Sequence, residues 1–167
     1  MQLEYHINKP ASLRGYPLHR MVMGLTDGKS ALFADEGQRL VLRTEASVDA
    51  PANPIESPEN GTLSAFELRA CVSKKRKGKH IYFEQKDWRA RQQWLDEKAA
   101  KFGFEVLTVH STSVRQKIQD DRRRFWVDQT DFIGVLKVKD KTLFEQALIH
   151  GIGTTAKTFG FGLLVIH

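Results

Sequence analysis

Three observations predict an α+β fold built from two tandem βαββαβ units, the first of them reduced. From about residue 62 onward the hydrophobic pattern runs strand, helix, strand, strand, helix, strand, which is the ferredoxin-like order. The residues before it run strand, helix, strand, strand and then a stretch holding Pro51, Pro54, Pro58 and Gly61 with few apolar residues. That is the same unit with its second helix eroded. Third, 167 residues of which 41% are hydrophobic suffice for two small cores sharing an interface. The expected division is an N-terminal domain at residues 1–61 and a C-terminal domain at residues 62–167.

In the first unit, residues 2–8 alternate, with Leu3, Tyr5 and Ile7 on one face. Residues 16–25 read as a helix with Pro17 in its first turn. Leu18, Met21, Val22 and Leu25 form its apolar stripe. His19 lies beside that stripe, one turn from Tyr16. Asp27-Gly28 is a turn. Strands are expected over 31–33 and 39–43, and a linker or surface loop over 46–61.

In the second unit, residues 62–72 form a strand with Leu63, Ala65 and either Phe66 or Leu68 near a core. Lys74, Lys75, Arg76, Lys77 and Lys79 then put five cations into six residues. They repel one another unless an anion is bound, which marks a phosphate-contacting loop. Strand returns over 80–83. Residues 87–103 form the clearest helix, with Trp88, Leu95, Ala99 and Phe102 inward, Arg89, Arg91, Lys98 and Lys101 on its polar side, and Gly103 at its end. A strand over 104–109 leads into a basic segment holding Arg115, Lys117, Arg122, Arg123 and Arg124. Strands over 126–127 and 132–138 follow, then a helix over 141–150 with Leu143, Phe144, Ala147 and Leu148 inward, and a last strand over 163–166.

Between that helix and that strand stand Gly151, Gly153, Gly160 and Gly162, with Lys157 among them. Glycine tolerates positive φ and close backbone approach. Two readings follow: a loop presenting backbone N–H groups to phosphate, with Gly151, Gly153 and Lys157 as contacts, or a tight helix-to-strand turn with no ligand. No Gly-Lys-Ser/Thr closes the stretch, so it is not a Walker loop. A helix precedes it and a strand follows, the reverse of a dinucleotide fingerprint.

The net charge of +6 favours a polyanionic partner, nucleic acid first. One cysteine, Cys71, excludes an internal disulfide and a cysteine-rich zinc site. No signal peptide or membrane-length apolar run stands in the sequence, so a cytoplasmic location is expected. His6, His19, His80, His110, His150 and His167 are scattered without paired ligand spacing, and neither metal nor cofactor is expected.

Four stretches, in order, carry a resemblance. They are Tyr16-Pro17-Leu18-His19-Arg20, Phe66-Glu67-Leu68-Arg69-Ala70 followed by Gly78-Lys79-His80-Ile81, Phe132-Ile133-Gly134-Val135-Leu136 with Val138, and the C-terminal glycine stretch ending Gly162-Leu163-Leu164. In these the chain resembles the CRISPR-associated CasE endoribonucleases, the subtype I-E branch of the precursor-crRNA processing superfamily, as a short, divergent member. The resemblance implies a metal-independent endoribonuclease that binds the repeat hairpin of precursor crRNA. It implies cleavage by 2′-hydroxyl attack, giving a 2′,3′-cyclic phosphate, and continued binding as a subunit of a CRISPR ribonucleoprotein complex. His19 is then the general base or acid and Tyr16 a hydrogen-bond donor to phosphate or ribose. Arg20, Lys29 and Lys157 are secondary candidates for charge stabilisation, Lys29 because Gly24 stands where some members carry a lysine. The 74–79 run and the segment from Arg115 to Arg124 would hold the RNA. A non-catalytic hairpin-binding subunit is the alternative.

Overall fold

The computed structural model describes residues 1–122, 124–154 and 156–167, with the side chains of Lys75 and His80 also outside the described set. The N-terminal alternation becomes β1 (Leu3–Asn8), with Tyr5 buried. Gly15, at φ 64°, begins helix α1 (Tyr16–Leu25), with proline in its first turn. Leu18 and Val22 of α1 pack on Tyr5, Phe33, Leu40 and Leu42. Strands β2 (Ala31–Asp35) and β3 (Arg39–Thr44) follow.

Residues 46–61 are not loop throughout: β4 (Ala52–Pro54) pairs antiparallel with Leu3–Tyr5. A proline-bearing segment fits there because an edge strand need not donate from every N–H. The first sheet is therefore four-stranded and antiparallel, in the order β2-β3-β1-β4, with one helix.

The second sheet has the order β10-β5-β9-β8. Its strands are β5 (Leu63–Cys71), β8 (Phe104–Gln119), β9 (Arg124–Val138) and β10 (Leu164–Ile166), and α2 (Trp88–Lys101) and α3 (Lys141–His150) cover one face. A separate ribbon, β6 (Lys74–Arg76) with β7 (Lys79–Ile81), leaves it after β5. In β5 it is the even positions, Ser64, Phe66, Leu68 and Ala70, that are buried. Leu63 and Ala65 point to the other face, and Leu63 is 60% exposed. Phe66 and Leu68 share a parity, so period-two geometry buries both together. Each outer end of the helix stripes also proves exposed: Trp88 opens α2 and Leu143 opens α3, both beyond the reach of the core.

Arg91 corrects the polar-side assignment on α2. It falls on the stripe with Leu95 and Ala99 and is only 1% exposed. Its guanidinium donates to Asp128 Oδ2 at 2.5 Å, Thr130 Oγ1 at 3.2 Å and the Glu84 carbonyl at 2.7 Å. Burying this charge is tolerable because it is paired and hydrogen-bonded on several sides.

β3 joins the two sheets. Leu40 and Leu42 face α1, while the alternate positions Val41 and Arg43 face the second sheet. Val41 and Leu32 pack on Leu163 and Val165. Arg43 is 3% exposed. It donates to Glu4 Oε2 at 2.7 Å and to the carbonyls of Leu148 at 3.0 Å and Leu164 at 2.9 Å. The Leu148 carbonyl lies in the last turn of α3, where no intrahelical partner remains. Burial alone would raise the Glu4 pKa, but Arg43 and His6 more than offset it, so the carboxyl lies below its usual 4.5.

Arg43→Leu should cost about 3 kcal/mol, because it leaves Glu4 and two carbonyls without their donor. Urea denaturation measures this. Glu4 has a lowered folded pKa, so its contribution is complete above pH 4.5. It should fade as pH falls through the lower folded value, and more steeply in the parent than in Arg43→Leu.

Candidate functional site

β8 and β9 are 16 and 15 residues long, but β5 pairs with β9 only as far as Cys71 opposite Gln129. Beyond that point the two strands continue as a two-stranded arm, Val114–Gln119 against Arg124–Gln129. Five further residues extend it by about 17 Å. The expected strands over 104–109 and 126–127 are thus parts of one long hairpin. The arm exposes Arg115, Lys117, Arg122 and Arg124. Arg115 lies over the Tyr82 ring at 5.6 Å and Lys117 over Trp126 at 5.9 Å. Arg123 lies outside the described residues.

The arm curls over the glycine stretch. Phe125 meets Phe159 edge-on at 5.8 Å, and Ile118 and Phe125 pack against Cys71, Val127 and Phe161. At its tip Asp121 Oδ2 accepts the Tyr16 hydroxyl at 2.7 Å. That bond, reinforced by burial and by the Asp121 charge, raises the Tyr16 pKa against the opposing pull of Arg20. Tyr16 therefore stays a protonated donor.

His19 is the meeting point of three elements. Its Nδ1 lies 2.6 Å from the Thr158 carbonyl, which can only accept, so Nδ1 carries the proton and Nε2 is the nitrogen left for exchange. The ring stacks on Tyr16 at 6.0 Å and lies 5.0 Å from Phe159. It is half-buried rather than sealed in a core. Thr158 and Phe159 belong to a 3₁₀ turn, Lys157–Phe159, which Ala156 enters and Gly160 leaves in the left-handed region. At Gly160, φ is 91° and a Cβ would stand 2.8 Å from the Phe33 ring. Only glycine lets the turn lie this close to the first sheet.

Beside Tyr16 opens a cleft of ≈ 770 Å³ between the Arg14–Tyr16 segment, β8 at Gln116–Gln119 and Phe159–Phe161. Arg14 and Lys117 line it and bring positive charge, while Arg69 and Asp35, also on its wall, are paired with Asp131 and Lys9. Sequence reasoning missed Arg14, and it missed Asp121 and Thr158, whose roles rest on contacts far apart in the chain. Lys9 steadies the rim: its buried ammonium pairs with Asp35 at 2.8 Å and donates to the carbonyls of Leu13 and Gly37.

The remaining expected contacts are dispersed. Arg20 is exposed one turn from Tyr16. Lys29 sits in the turn beyond the far end of α1, where its N–H donates to the Thr26 carbonyl. Lys74, Arg76, Lys77 and Lys79 are exposed on the β6–β7 ribbon, so the basic run is a hairpin rather than a loop. The Lys75 side chain lies outside the described residues. Gly151 is buried, and its N–H caps α3 through the Ala147 carbonyl. The N–H groups of Ile152 and Gly162 bond to Gly162 and Arg69 carbonyls. Gly151 thus packs rather than cradling phosphate. Gly153 stays half-exposed beside Trp94. Lys157 donates to the His150 carbonyl at 2.7 Å. Burial lowers its pKa, and the like charges of Lys98 and Lys101 push the same way. Among the described residues no three His, Cys, Asp or Glu side chains gather as metal ligands. Among the described residues no helix is long and apolar enough to cross a membrane.

Residues 36–167 match the family described as CRISPR associated protein. The chain belongs to this family. The match begins after α1, so Tyr16 and His19 lie outside it. The fold is similar to that of Thermus thermophilus Cse3 bound to an RNA representing a pre-cleavage complex, with a TM-score of 0.82 at 19% identity over 99% of this chain and 98% of that one. It is similar to CRISPR-associated Cas6e from Escherichia coli K-12, with a TM-score of 0.73 at 24% identity over 99% and 98%. It is also similar to a chain of a CRISPR RNA-guided surveillance complex, with a TM-score of 0.72 at 19% identity over 98% of each. A comparison with curated protein sequences gives no match. The resemblance read from the four motifs therefore holds at the level of family and fold.

Gly160→Ala should destabilise the protein by about 2 kcal/mol, from its left-handed φ and the Phe33 overlap. It should also shift the His19 ring resonances, which proton NMR of the folded variant reads directly.

Proposed function

We propose that this protein is a metal-independent endoribonuclease that binds the repeat hairpin of precursor crRNA, cleaves it and keeps the product as a subunit of a CRISPR effector complex in the cytoplasm. The observation that carries the reading is His19, held by the Thr158 carbonyl through Nδ1, which leaves Nε2 for exchange, and stacked on Tyr16, which lines a cleft with Arg14 and Lys117. The likeness to RNA-bound Cse3 supports the substrate class. The likeness to a chain of a surveillance complex supports the partners.

We read the chain as two ferredoxin-like domains, residues 1–61 without a second helix and residues 62–167 complete. Both sheets support this, since each has its fourth strand beside its first and its third between first and second. The first domain supplies the chemistry and the second supplies the RNA grip.

In the reaction the ribose 2′-oxygen attacks the adjacent phosphorus and the P–O bond to the 5′-oxygen of the next nucleotide breaks. The products are a 2′,3′-cyclic phosphate and a free 5′-hydroxyl. His19 Nε2 either accepts the 2′-hydroxyl proton as a neutral ring or, as imidazolium, delivers one to the leaving 5′-oxygen, and solvent water takes the other transfer. The Tyr16 hydroxyl donates to a non-bridging phosphate oxygen, and Arg20 and Arg14 offset the charge gathering there. The stem lies along the arm, with Arg115, Lys117, Arg122 and Arg124 on its phosphates, since A-form RNA is held chiefly through backbone and shape. The β6–β7 ribbon and Lys157 extend that surface.

His19→Ala should bind the repeat hairpin as the parent does while cleavage falls by about 10²- to 10⁴-fold, the usual span for a lost acid–base group. Gel analysis of single-turnover reactions, beside filter binding, separates the two effects. Equal loss of binding and cleavage would assign His19 to folding or docking instead. Cleavage by the parent should continue in EDTA; loss restored by magnesium would contradict the metal-independent step.

A further inference from the structure

The tip of the arm carries two acids in the most basic part of the hairpin. Asp120 has a local use: its Oδ1 accepts the Arg122 N–H at 2.8 Å, a turn-forming bond. Asp121 reaches instead to the Tyr16 hydroxyl, 105 positions away. A carboxylate is an unexpected occupant of a surface that receives a polyanion. Carboxylate and phosphodiester are both anions that accept strongly from a phenol. Tyr16 has one O–H to give, so the two cannot hold it together, and their like charges oppose joint occupancy.

We propose that Asp121 is a specificity-determining residue: its carboxylate competes with RNA phosphate for the Tyr16 hydroxyl, and only an RNA whose stem engages the arm displaces it. The inference rests on the reading above that Tyr16 contacts the scissile phosphate. The cations that grip a stem, Arg115, Lys117, Arg122 and Arg124, stand on the same two-stranded arm as Asp121. Past Gln129 no strand of the second sheet pairs with that arm, which is held there by the Val72 N–H on the Asp128 carbonyl and by the packing of Ile118 and Phe125 on Phe159 and Phe161. Lifting its tip onto a duplex therefore moves Asp121 without unpairing the sheet. An unpaired RNA strand offers the arm no duplex, leaves Asp121 in place and meets a phenol already engaged.

The test compares the parent with Asp121→Asn and Asp121→Ala on two RNAs: the repeat hairpin, and the same length with its stem abolished by base changes. Dissociation constants and single-turnover cleavage rates are measured for both. At saturating protein the variants should cut the stemless RNA about tenfold faster than the parent does, the worth of one charge-assisted hydrogen bond. The hairpin, which displaces Asp121 in the parent as well, should be cut at the parental rate, so discrimination in cleavage falls, while its affinity rises because no carboxylate is left to displace. An unchanged ratio overturns the proposal. Slower cleavage of both RNAs also overturns it, because Asp121 would then be positioning Tyr16 for catalysis. A second readout needs no cleavage. The chain has three tyrosines, so the Tyr16 ring signal can be assigned by its loss in Tyr16→Phe, and its titration should move to lower pH in Asp121→Asn. No movement overturns the contact. If the parent binds the hairpin but cuts neither RNA, the nuclease reading fails while hairpin affinity still decides the role of Asp121: no tightening in the variants overturns its displacement.

Discussion

The hydrogen bond between His19 Nδ1 and the Thr158 carbonyl is the constraint on which the site depends. It joins positions 139 apart, so it exists only if the two ends of the chain are brought together and held. Val41 and Leu32 seat the first sheet on Leu163 and Val165, and Arg43 fastens it to the carbonyls of Leu148 and Leu164. Those residues flank the glycine stretch, so the interface also sets where the 3₁₀ turn lands. A small displacement there would leave the imidazole without its acceptor and free to take either tautomer.

The glycines serve this placement. Gly151 approaches the Gly162 carbonyl so closely that a Cβ would stand 2.7 Å from it, and Gly160 packs on Phe33. What looks from composition like a phosphate cradle is chiefly a packing device whose product is one backbone carbonyl aimed at one histidine. Recognition and chemistry then fall to different parts. The arm of β8 and β9 carries exposed cations, α1 carries Tyr16 and His19, and the Tyr16–Asp121 bond connects them.

Much of this was legible in the sequence, for physical reasons. The bounds of α1 follow from Pro17 and the Leu18–Val22 spacing, and the glycine after α2 and the succession of elements in the second unit follow from equally local signals. Local signals fail where a distant partner decides. Arg91 stands on the buried stripe of α2, yet a charge argues for solvent until Asp128 and Thr130 are known to lie opposite it. β4 is too short and proline-rich to announce itself, and only β1 makes it a strand. Lys29 stands close to His19 in sequence, but it sits in the turn beyond the far end of α1. Thr158 acts through its carbonyl, which any residue would supply, so its side chain gives no sign of the role.

The most direct test is the ¹⁵N chemical-shift pair of the His19 imidazole, assigned against His19→Gln and recorded where the ring is neutral. Anchoring by Thr158 predicts a proton on Nδ1 and a bare Nε2. A neutral ring protonated on Nε2 would contradict the account, because the nitrogen offered to RNA could no longer accept a proton and the carbonyl would not be holding the other.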